Sequence, residues 1–454
     1  MRHIFHTISA LLTLSFCSAN ADETKSKPNV LLICIDDLRP ELPSFGKEYI
    51  HAPQIEKLIS EGRLFKRHYV QAPTCGASRF SLLTGLYPDT AAFRSNNAIV
   101  NFTNNKDHAP TLPQWLKKHG YLTMSLGKIS HYPGGLHGKN WADPSKEEIP
   151  NAWDHSILTT GDWKTPQVFM HGIANGVPRT RGVTPACEAT PDAQYPDDLI
   201  VKDFQNNIQK LKNSNKPWFC AVGIMKPHLP FATHKKYLDL YKDKTLPAIP
   251  SPEKPKAPNH WHGSGELMSG YSTGKQDPRK NPAYATELRK HYAACVSAAD
   301  ANLAIILQAL EKSGQADNTI IILWGDHGFH LGEQAIWGKH TLYHVALHSP
   351  LIIKTPKQKL AGKPTSQIAE TLDIYPTICD LCAIPKPSHL KGASLLAIVD
   401  DPSSKSDGTA ISYWRGQKSI ITDTEHSIIN RKTNKPAQRY NLTKDPHESN
   451  NLEK

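Results

Sequence analysis

Asn29-Val30-Leu31-Leu32-Ile33-Cys34-Ile35 is a continuous apolar run bounded by Pro28 and Asp36. A run of this kind predicts a strand buried on both faces, which is typical of parallel sheets. Further apolar runs at 122–125, 218–224, 319–324 and 350–353 predict strands of the same type. Together they indicate a large, mainly parallel sheet.

Helical patterns lie between these strands. Val201, Phe204, Ile208 and Leu211 are spaced by 3, 4 and 3 residues, as on one face of a helix. The same rhythm continues over 292–310, and residues 374–381 predict another helix. Strands that alternate with helices predict an α/β sandwich, in which helices flank the sheet.

The pattern changes after about residue 385. Short strands are predicted at 410–413, 419–422 and 425–430, which indicates a small C-terminal subdomain with an antiparallel sheet. Two stretches rich in Pro, Gly, Asp and Lys, at about 133–195 and 229–282, resemble insertions. Long ordered loops of this kind usually form binding surfaces.

The N-terminus has the features of a signal peptide. Arg2 precedes a short apolar run, and Ala19-Asn20-Ala21 is a small-x-small cleavage site. We therefore expect a signal peptide at 1–21, a catalytic domain at 22–385 and a C-terminal subdomain at 386–454. This organisation predicts a secreted or periplasmic protein, and no later stretch approaches the roughly 20 apolar residues of a membrane span.

The chain is basic, with 53 Lys and Arg against 42 Asp and Glu and a net charge of +11. Such an excess favours polyanionic partners, among them nucleic acid and sulfated polysaccharide, although it is also compatible with a merely soluble basic surface. No basic helix or nucleic-acid-binding module is found, so we expect no nucleic-acid partner.

The cysteine count is informative. Eight cysteines are present, and seven remain once Cys17 is removed with the predicted signal peptide. An odd number in an exported protein suggests that one cysteine has a separate role. Cys379 and Cys382 form a CxxC pair inside a predicted helix, where we expect buried apolar side chains instead of a metal site.

Acidic residues follow two of the predicted strands. Asp36 and Asp37 come directly after the first strand, and Asp326 and His327 follow the strand at 319–324. Ligands bind at the carboxyl ends of strands in open α/β sheets. Three carboxylates with one imidazole favour a hard cation, Ca²⁺ or Mg²⁺, over zinc.

The segment Cys75-Gly76-Ala77-Ser78-Arg79, with Leu83-Thr84-Gly85 downstream, resembles the signature of the sulfatase family. The signature reads Cys-x-(Pro or Ala)-Ser-Arg, and position 77 carries its less common Ala. The resemblance is to the type I sulfatases of the alkaline phosphatase superfamily, in which a maturation enzyme oxidises the cysteine to formylglycine. It implies an alkaline-phosphatase-like sandwich and hydrolysis of sulfate esters.

The resemblance extends over most of the chain. Matching segments are Gly127-Lys128 with His131, the run from Lys226 to Phe231 around His228, Leu331-Gly332-Glu333 with Lys339, and Tyr440-Asn441-Leu442 near the end. Pro88-Asp89-Thr90 and the pair Asp326-His327 are similar to the iduronate-2-sulfatase branch. That branch implies a sulfated carbohydrate substrate, with a 2-O-sulfated uronate of a glycosaminoglycan or algal polysaccharide as the expected target.

The resemblance also implies roles for individual residues. It assigns one Ca²⁺, or Mg²⁺ in its place, to Asp36, Asp37, Cys75, Asp326 and His327. The hydrated aldehyde made from Cys75 would be the nucleophile. The implied catalytic residues are Cys75, Arg79 as its anchor, Lys128 and Lys339 as sulfate ligands, His131 as base and His228 as acid.

Three alternatives remain open from the sequence. The first is a sulfatase that acts on galactose sulfates, and the second is a phosphodiesterase or phosphonate hydrolase of the same superfamily. The third is a non-catalytic binder of anionic glycans, which the positive charge would suit. Arg94, Asn96 and Asn97 lie shortly after the signature and are hypothesised to line the sugar subsite.

Overall fold

The structure is a computed structural model. It describes residues 27–135, 147–172, 184–191, 194–255, 261 and 265–453. The predicted signal peptide at 1–21 lies outside these residues, so both that prediction and the boundary at 21/22 stay predictions.

Sixteen strands are present in the described residues. They are β1 Asn29–Ile35, β2 Arg63–Tyr69, β3 Leu122–Gly127, β4 His155–Ile157, β5 Cys187–Thr190, β6 Trp218–Ile224, β7 Phe231–His234, β8 Thr319–Gly325, β9 His330–Leu331, β10 Trp337–Gly338, β11 Leu351–Lys354, β12 Thr365–Glu370, β13 Ala410–Trp414, β14 Gln417–Ile421, β15 Glu425–Asn430 and β16 Pro436–Asn441. Eight of them form the main sheet in the order β12-β2-β11-β8-β1-β6-β3-β4.

The predicted first strand lies in the middle of this sheet. β1 pairs in parallel with β6 on one side and β8 on the other, so that Ile35 lies opposite both Ile224 and Gly325. Its side chains alternate between two apolar cores: Leu31 and Ile33 pack into one, and Val30 and Leu32 into the other. Both faces are buried, which explains why the run has no polar alternation.

Helices cover both faces of the sheet. They are α1 Pro53–Glu61, α2 Cys75–Thr84, α3 Ala98–Thr103, α4 Leu112–Lys118, α5 Pro166–His171, α6 Pro196–Lys212, α7 Lys235–Asp239, α8 Gly265–Gly270, α9 Pro282–Lys312, α10 His344–Leu347, α11 Ile374–Leu381 and α12 Leu396–Asp400. The helices predicted around 201–211, 292–310 and 374–381 correspond to α6, α9 and α11. This mixed architecture confirms the predicted α/β sandwich.

By its length and composition alone, helix α9 could cross a membrane. Of its most apolar stretch, 67% is buried inside the fold. Leu288, Tyr292, Val296 and Leu303 pack into the core against the sheet. The apolar composition of α9 is therefore accounted for by its position against the central strands.

One strand of the main sheet runs against the others. The apolar run at 350–353 forms β11, but β11 is antiparallel to both of its neighbours, β8 and β2. The sheet is thus mainly parallel, as expected, with this single reversal among its described pairings. An apolar run records burial on both faces and not strand direction, because either direction buries the same side chains.

The C-terminal region forms the predicted antiparallel sheet. Its order is β13-β14-β15-β16, and every neighbouring pair is antiparallel. Its strand β13 adjoins β2 and β12 of the main sheet, and the backbone N–H of Tyr413 donates to the carbonyl of Gln71, two residues after β2. The two insertion-like stretches contribute short elements, among them the parallel pair β5-β7 and helix α8.

Candidate active site

The candidate site lies at the carboxyl edge of the central strands. Asp36 and Asp37 follow β1, and Asp326 and His327 follow the neighbouring β8. The backbone pairing continues past the strand ends, because the N–H of Asp326 donates to the carbonyl of Ile35 at 3.2 Å. The N–H of Asp37 in turn donates to Oδ1 of Asp326 at 2.9 Å. The pairs Asp36-Asp37 and Asp326-His327, which the sequence predicted to lie at one sheet edge, are therefore adjacent in the structure.

Cys75 is the first residue of α2 and is 2% exposed. Its Sγ lies 3.3 Å from Oδ1 of Asp36 and 3.3 Å from Nε2 of His327. The residue after it must be a glycine, since a Cβ at Gly76 would stand 2.3 Å from Cα of Asn96. Burial and the charge on Asp36 raise the pKa of the Cys75 thiol well above its ordinary value.

The acidic cluster fits a bound cation. Asp36, Asp37, Cys75 and His327 each offer a ligand atom, and these atoms lie within 4.8 Å of one another. Oδ2 of Asp37 is buried without a hydrogen-bond partner among the described residues. Burial and the nearby carboxylates raise the pKa of Asp37 well above its usual range, although Lys339 opposes them. A divalent cation would relieve this accumulation of carboxylates.

Asp326 has a different position from the other predicted ligands. Its Oδ2 accepts a hydrogen bond from Nε of Arg79 at 3.0 Å, and its Oδ1 lies 3.6 Å from Nε2 of His327. It thus borders the four-residue cluster and is partly engaged by Arg79. Burial raises the pKa of Asp326 to about 7, with a further contribution from Asp36.

Arg79 connects the two acidic pairs to the segment that carries Lys128. It is fully buried, and its guanidinium donates to the carbonyls of Lys128 and Ile129 as well as to Asp326. The Nζ of Lys128 pairs with Oδ2 of Asp36. The backbone of Lys128 packs tightly against Gly223. Any larger residue at position 223 would place its Cβ 1.9 Å from the carbonyl oxygen of Lys128.

Lys339 contacts the same cluster. Its Nζ lies 2.8 Å from Oδ1 of Asp37, 3.0 Å from Oε1 of Glu266 and 3.4 Å from Sγ of Cys75. Lys339 is 2% exposed, and although burial opposes its charge, Asp37 and Cys75 hold its pKa well above the usual value.

The two predicted histidines complete the site. Nδ1 of His228 contacts the carbonyl of Leu229 and must donate to it, because a carbonyl can only accept. This leaves Nε2 of the neutral ring as an acceptor, 4.0 Å from Oε1 of Glu266. Nδ1 of His131 is buried without a partner among the described residues. Burial, assisted by Lys128, lowers the pKa of His131 well below its usual value.

A cavity of about 570 Å³ opens above these groups. Cys75, His131, His228 and Lys339 lie along it, so the structure brings these four predicted residues together around one space. Asp36, Asp37, Asp326, His327, Arg79 and Lys128 lie beneath them and are 0–1% exposed. The roles predicted for these ten residues stay predictions, but their placement agrees with one site.

The sequence did not single out several residues that line the cavity. His171, Glu266, Ser269, Tyr271 and His340 belong to this group. His171 and the segment 265–271 come from the two insertion-like stretches, whose composition indicated a binding surface without indicating which side chains would form it. The position of His340, directly after Lys339, was the one signal available for that residue.

The three residues hypothesised for the sugar subsite separate in the structure. Asn96 lines the cavity. Asn97 accepts a hydrogen bond from Tyr132 at 2.7 Å, and Arg94 donates to the carbonyl of Pro88 at 3.2 Å. Of the three, Asn96 is the one placed directly along the cavity wall, so it is the best placed to contact a substrate.

Known proteins are similar to this chain over most of its length. The family model "Sulfatase" matches residues 28–384, and a model for the C-terminal part of N-sulphoglucosamine sulphohydrolase matches residues 332–454. Iduronate 2-sulfatase of Mus musculus is 30% identical, with 83% of this chain and 74% of that protein covered. A sulfatase of Formosa agariphila is 28% identical, with 91% and 82% covered.

Solved structures share the fold. A protein in complex with its substrate D-glucosamine-2-N,6-O-disulfate superposes with a TM-score of 0.71 at 22% identity, with 94% of this chain and 93% of the other covered. The phosphonate monoester hydrolase of Agrobacterium radiobacter gives 0.74 at 21% identity, with 94% and 91% covered. The family model and the 30% identical relative establish the family: this chain is a type I sulfatase, a sulfuric ester hydrolase related to the iduronate-2-sulfatase branch.

Proposed function

We propose that the chain removes the 2-O-sulfate of a sulfated uronate in a glycosaminoglycan or an algal polysaccharide, with a nucleophile derived from Cys75. The observation that carries the proposal is the place of Cys75 in the cavity, with a carboxylate, an imidazole and an ammonium group within 3.4 Å of its Sγ. The iduronate 2-sulfatases among the relatives support the choice of sugar.

The proposal includes two groups that the sequence does not encode directly, formylglycine and a divalent cation. Oxidation of Cys75 to formylglycine by a maturation enzyme would supply a hydrated aldehyde as nucleophile. A divalent cation, Ca²⁺ by family expectation, held by Asp36, Asp37, Asp326, His327 and the modified Cys75, would supply positive charge against the sulfate. The fit of the cation rests on the buried, unpartnered Oδ2 of Asp37 and the converging ligand atoms.

The remaining chemistry is carried by side chains of the chain itself. Lys128 pairs with Asp36 and Lys339 pairs with Asp37, and both carboxylates lie beside Cys75. A sulfate placed over Cys75 would therefore exchange these carboxylate partners for its own oxygens. Arg79 has no such freedom, because its guanidinium is engaged by Asp326 and two backbone carbonyls. We assign it the task of fixing the cluster.

Proton transfer falls to the two histidines. With Nδ1–H held by the carbonyl of Leu229, Nε2 of His228 is the nitrogen that would take up the second proton of an imidazolium and donate it to the departing sugar oxygen. Glu266, 4.0 Å from that nitrogen, would stabilise the protonated ring. His131 has a buried nitrogen without a partner and is placed to accept the proton of the nucleophile.

The test is sulfate release from a panel of defined saccharides, on protein whose Cys75 conversion is confirmed by the mass of the tryptic peptide 68–79. The panel contains 2-O-sulfated iduronate, 2-O-sulfated glucuronate, galactose sulfates and glucosamine 6-sulfate, with calcium present. We expect release from the 2-O-sulfated uronates. Release from galactose sulfates alone would refute the proposed substrate and leave the sulfatase chemistry standing.

A matched pair of sulfate and phosphonate esters addresses the second alternative. The phosphonate monoester hydrolase shares the fold at 21% identity, which carries no statement about substrate. We expect the sulfate ester to react faster. A faster phosphonate reaction would overturn the proposed reaction class.

Export is part of the proposal as well. The N-terminal sequence predicts cleavage after Ala21, which would place the protein in the periplasm or outside the cell. N-terminal sequencing of protein purified from its own host should give a chain that begins at Asp22. A mature chain that still begins at Met1 would contradict this.

A further inference from the structure

A second group of metal-binding side chains lies between β5 and α9. It consists of Cys187 on β5 and of Glu287 and His291 on α9. Glu287 and His291 are four residues apart on one helix, so their side chains face the same direction. The Sγ of Cys187, a carboxylate oxygen of Glu287 and a ring nitrogen of His291 lie within 4.8 Å of one another.

His291 provides an independent indication of a ligand. It is 7% exposed, and its Nδ1 is buried without a hydrogen-bond partner among the described residues. Burial lowers the pKa of His291, and hydrogen bonding to the backbone of Phe231 and Glu188 opposes this without reversing it. A neutral imidazole with an unpartnered ring nitrogen has the lone pair with which histidine binds a metal.

The environment of Cys187 favours a cation too. The side chain is half-buried, and burial together with the charges of Glu287 and Glu188 raises the pKa of the thiol to about 12. A thiol in this position is a poor anion by itself, but the same carboxylates would stabilise a metal ion that displaces the thiol proton.

The ligand set selects the metal. Thiolate sulfur, imidazole nitrogen and one carboxylate oxygen suit zinc, whereas the oxygen-rich catalytic cluster suits calcium or magnesium. Tetrahedral zinc with ligands at roughly 2.0–2.3 Å places neighbouring ligand atoms roughly 3.3–3.8 Å apart. The observed separations, all within 4.8 Å, require side-chain movements of about an ångström.

We propose that Cys187, Glu287 and His291 bind one zinc ion, separate from the catalytic centre, with water in the fourth position. The ion would connect β5, which pairs with β7, to the core helix α9. Because β7 begins three residues after His228, the zinc site would hold the inserted segment against the body of the enzyme. Its role is thus structural.

Zinc binding is measured directly, so the test is independent of sulfatase activity. The full chain is stripped of metal and dialysed against zinc with excess calcium, and bound zinc is counted by elemental analysis. We expect about one zinc per chain in the parent protein. Cys187→Ser and His291→Ala should lose it, and Glu287→Gln should weaken binding by roughly 10–100-fold or more. Cys382→Ser, a buried cysteine elsewhere, is the matched control and should keep it.

Two further measurements use the folded parent protein. Cobalt in place of zinc should give a thiolate charge-transfer band that Cys187→Ser lacks. Zinc should also slow alkylation of Cys187, as read from the mass of its peptide, without slowing that of the other cysteines. Stoichiometric zinc retained equally by Cys187→Ser, or no zinc binding and no protection of Cys187, would overturn the proposal. Loss of the proposed sulfatase activity would not affect either result.

Discussion

The floor and the rim of the active-site cavity are built in different ways. The floor consists of Asp36, Asp37, Cys75, Arg79, Lys128, Asp326 and His327, which lie at strand ends or at a helix start and are 0–2% exposed. The rim consists of His171, Glu266, Ser269, Tyr271 and His340, most of which lie on inserted segments. The floor is a closed network of charges, whereas the rim is a set of side chains around an opening.

We infer from this difference that the floor carries out the reaction and that the rim selects the substrate. Groups that handle a sulfate must be fixed in low-dielectric surroundings, because preorganised charges act most strongly there. On the proposed function, the groups along the opening are the ones placed to contact the sugar. The comparison therefore predicts large losses of turnover for changes in the floor and smaller, substrate-dependent effects for changes in the rim.

Removal of Cys75 should have the largest effect. Cys75→Ala leaves the cavity open but removes the proposed nucleophile, and we expect kcat to fall by roughly a thousandfold or more. Cys382→Ala, which removes another buried thiol, is the control and should keep nearly full activity. Sulfate release on a sulfated saccharide is the measurement. Substantial turnover by Cys75→Ala would show that the floor works without it.

The fixed geometry of the floor is tested by Arg79→Lys. A lysine keeps the charge but cannot contact Asp326 and two carbonyls at once, so we expect kcat to fall roughly a hundredfold and stability to fall by about 2–4 kcal/mol. Arg67→Lys is the matched control, because Arg67 forms a more exposed pair with Asp423. Kinetics and thermal unfolding measure the two effects. Equal effects in both variants would mean that the planar guanidinium is dispensable.

The sequence predicted the floor far better than the rim. Asp36, Asp37, Lys128, Asp326 and His327 follow apolar runs directly, so their places in the fold follow from the strands beside them, and Cys75 and Arg79 lie in the signature segment. Glu266 lies in a stretch without periodicity, and its approach to Lys339 at 3.0 Å depends on how that stretch folds back over the sheet. No local pattern contains this information.

Parts of the fold escaped prediction for similar reasons. Strand β2 carries Arg63, Lys66, Arg67 and His68, which gives it no apolar run. Arg63 is nevertheless fully buried, since its guanidinium donates to backbone carbonyls of Ile398 and Val399. Its partners are more than 300 residues away in sequence. Burial of such a side chain is decided by tertiary contacts and cannot be derived from composition.

The rim is tested by Glu266→Gln. The neutral amide would leave Lys339 with Asp37 as its remaining carboxylate and would remove the negative charge near His228. We expect kcat/KM to fall roughly tenfold, less than for either floor variant, with an altered pH profile. Glu311→Gln, on the exposed end of α9, is the control and should change neither quantity. A loss as large as that of Cys75→Ala would place Glu266 among the floor residues.

The smallest expected effect is on the pH dependence of stability, and it concerns Glu148, which contacts the segment between Lys128 and His131. Glu148 is 1% exposed, and its carboxylate accepts a hydrogen bond from the hydroxyl of Ser130, between Lys128 and His131. Burial raises its pKa from 4.5 to about 8. Between pH 5 and 8 the folded protein therefore keeps a proton on Glu148 that the unfolded chain releases, so this group lowers stability as pH rises.

Glu148→Gln removes this titration while it keeps the shape of the side chain. Its stability relative to the parent protein should therefore rise from pH 5 to pH 8, by at most a few kcal/mol, and stay level below about pH 4, where both states of the parent are protonated. Denaturant unfolding at several pH values measures the difference, with the exposed Glu253→Gln as control. A difference that is constant with pH would mean that Glu148 is ionised in the folded state. The segment from Lys128 to His131 would then be braced by a buried charge and not by a neutral acid.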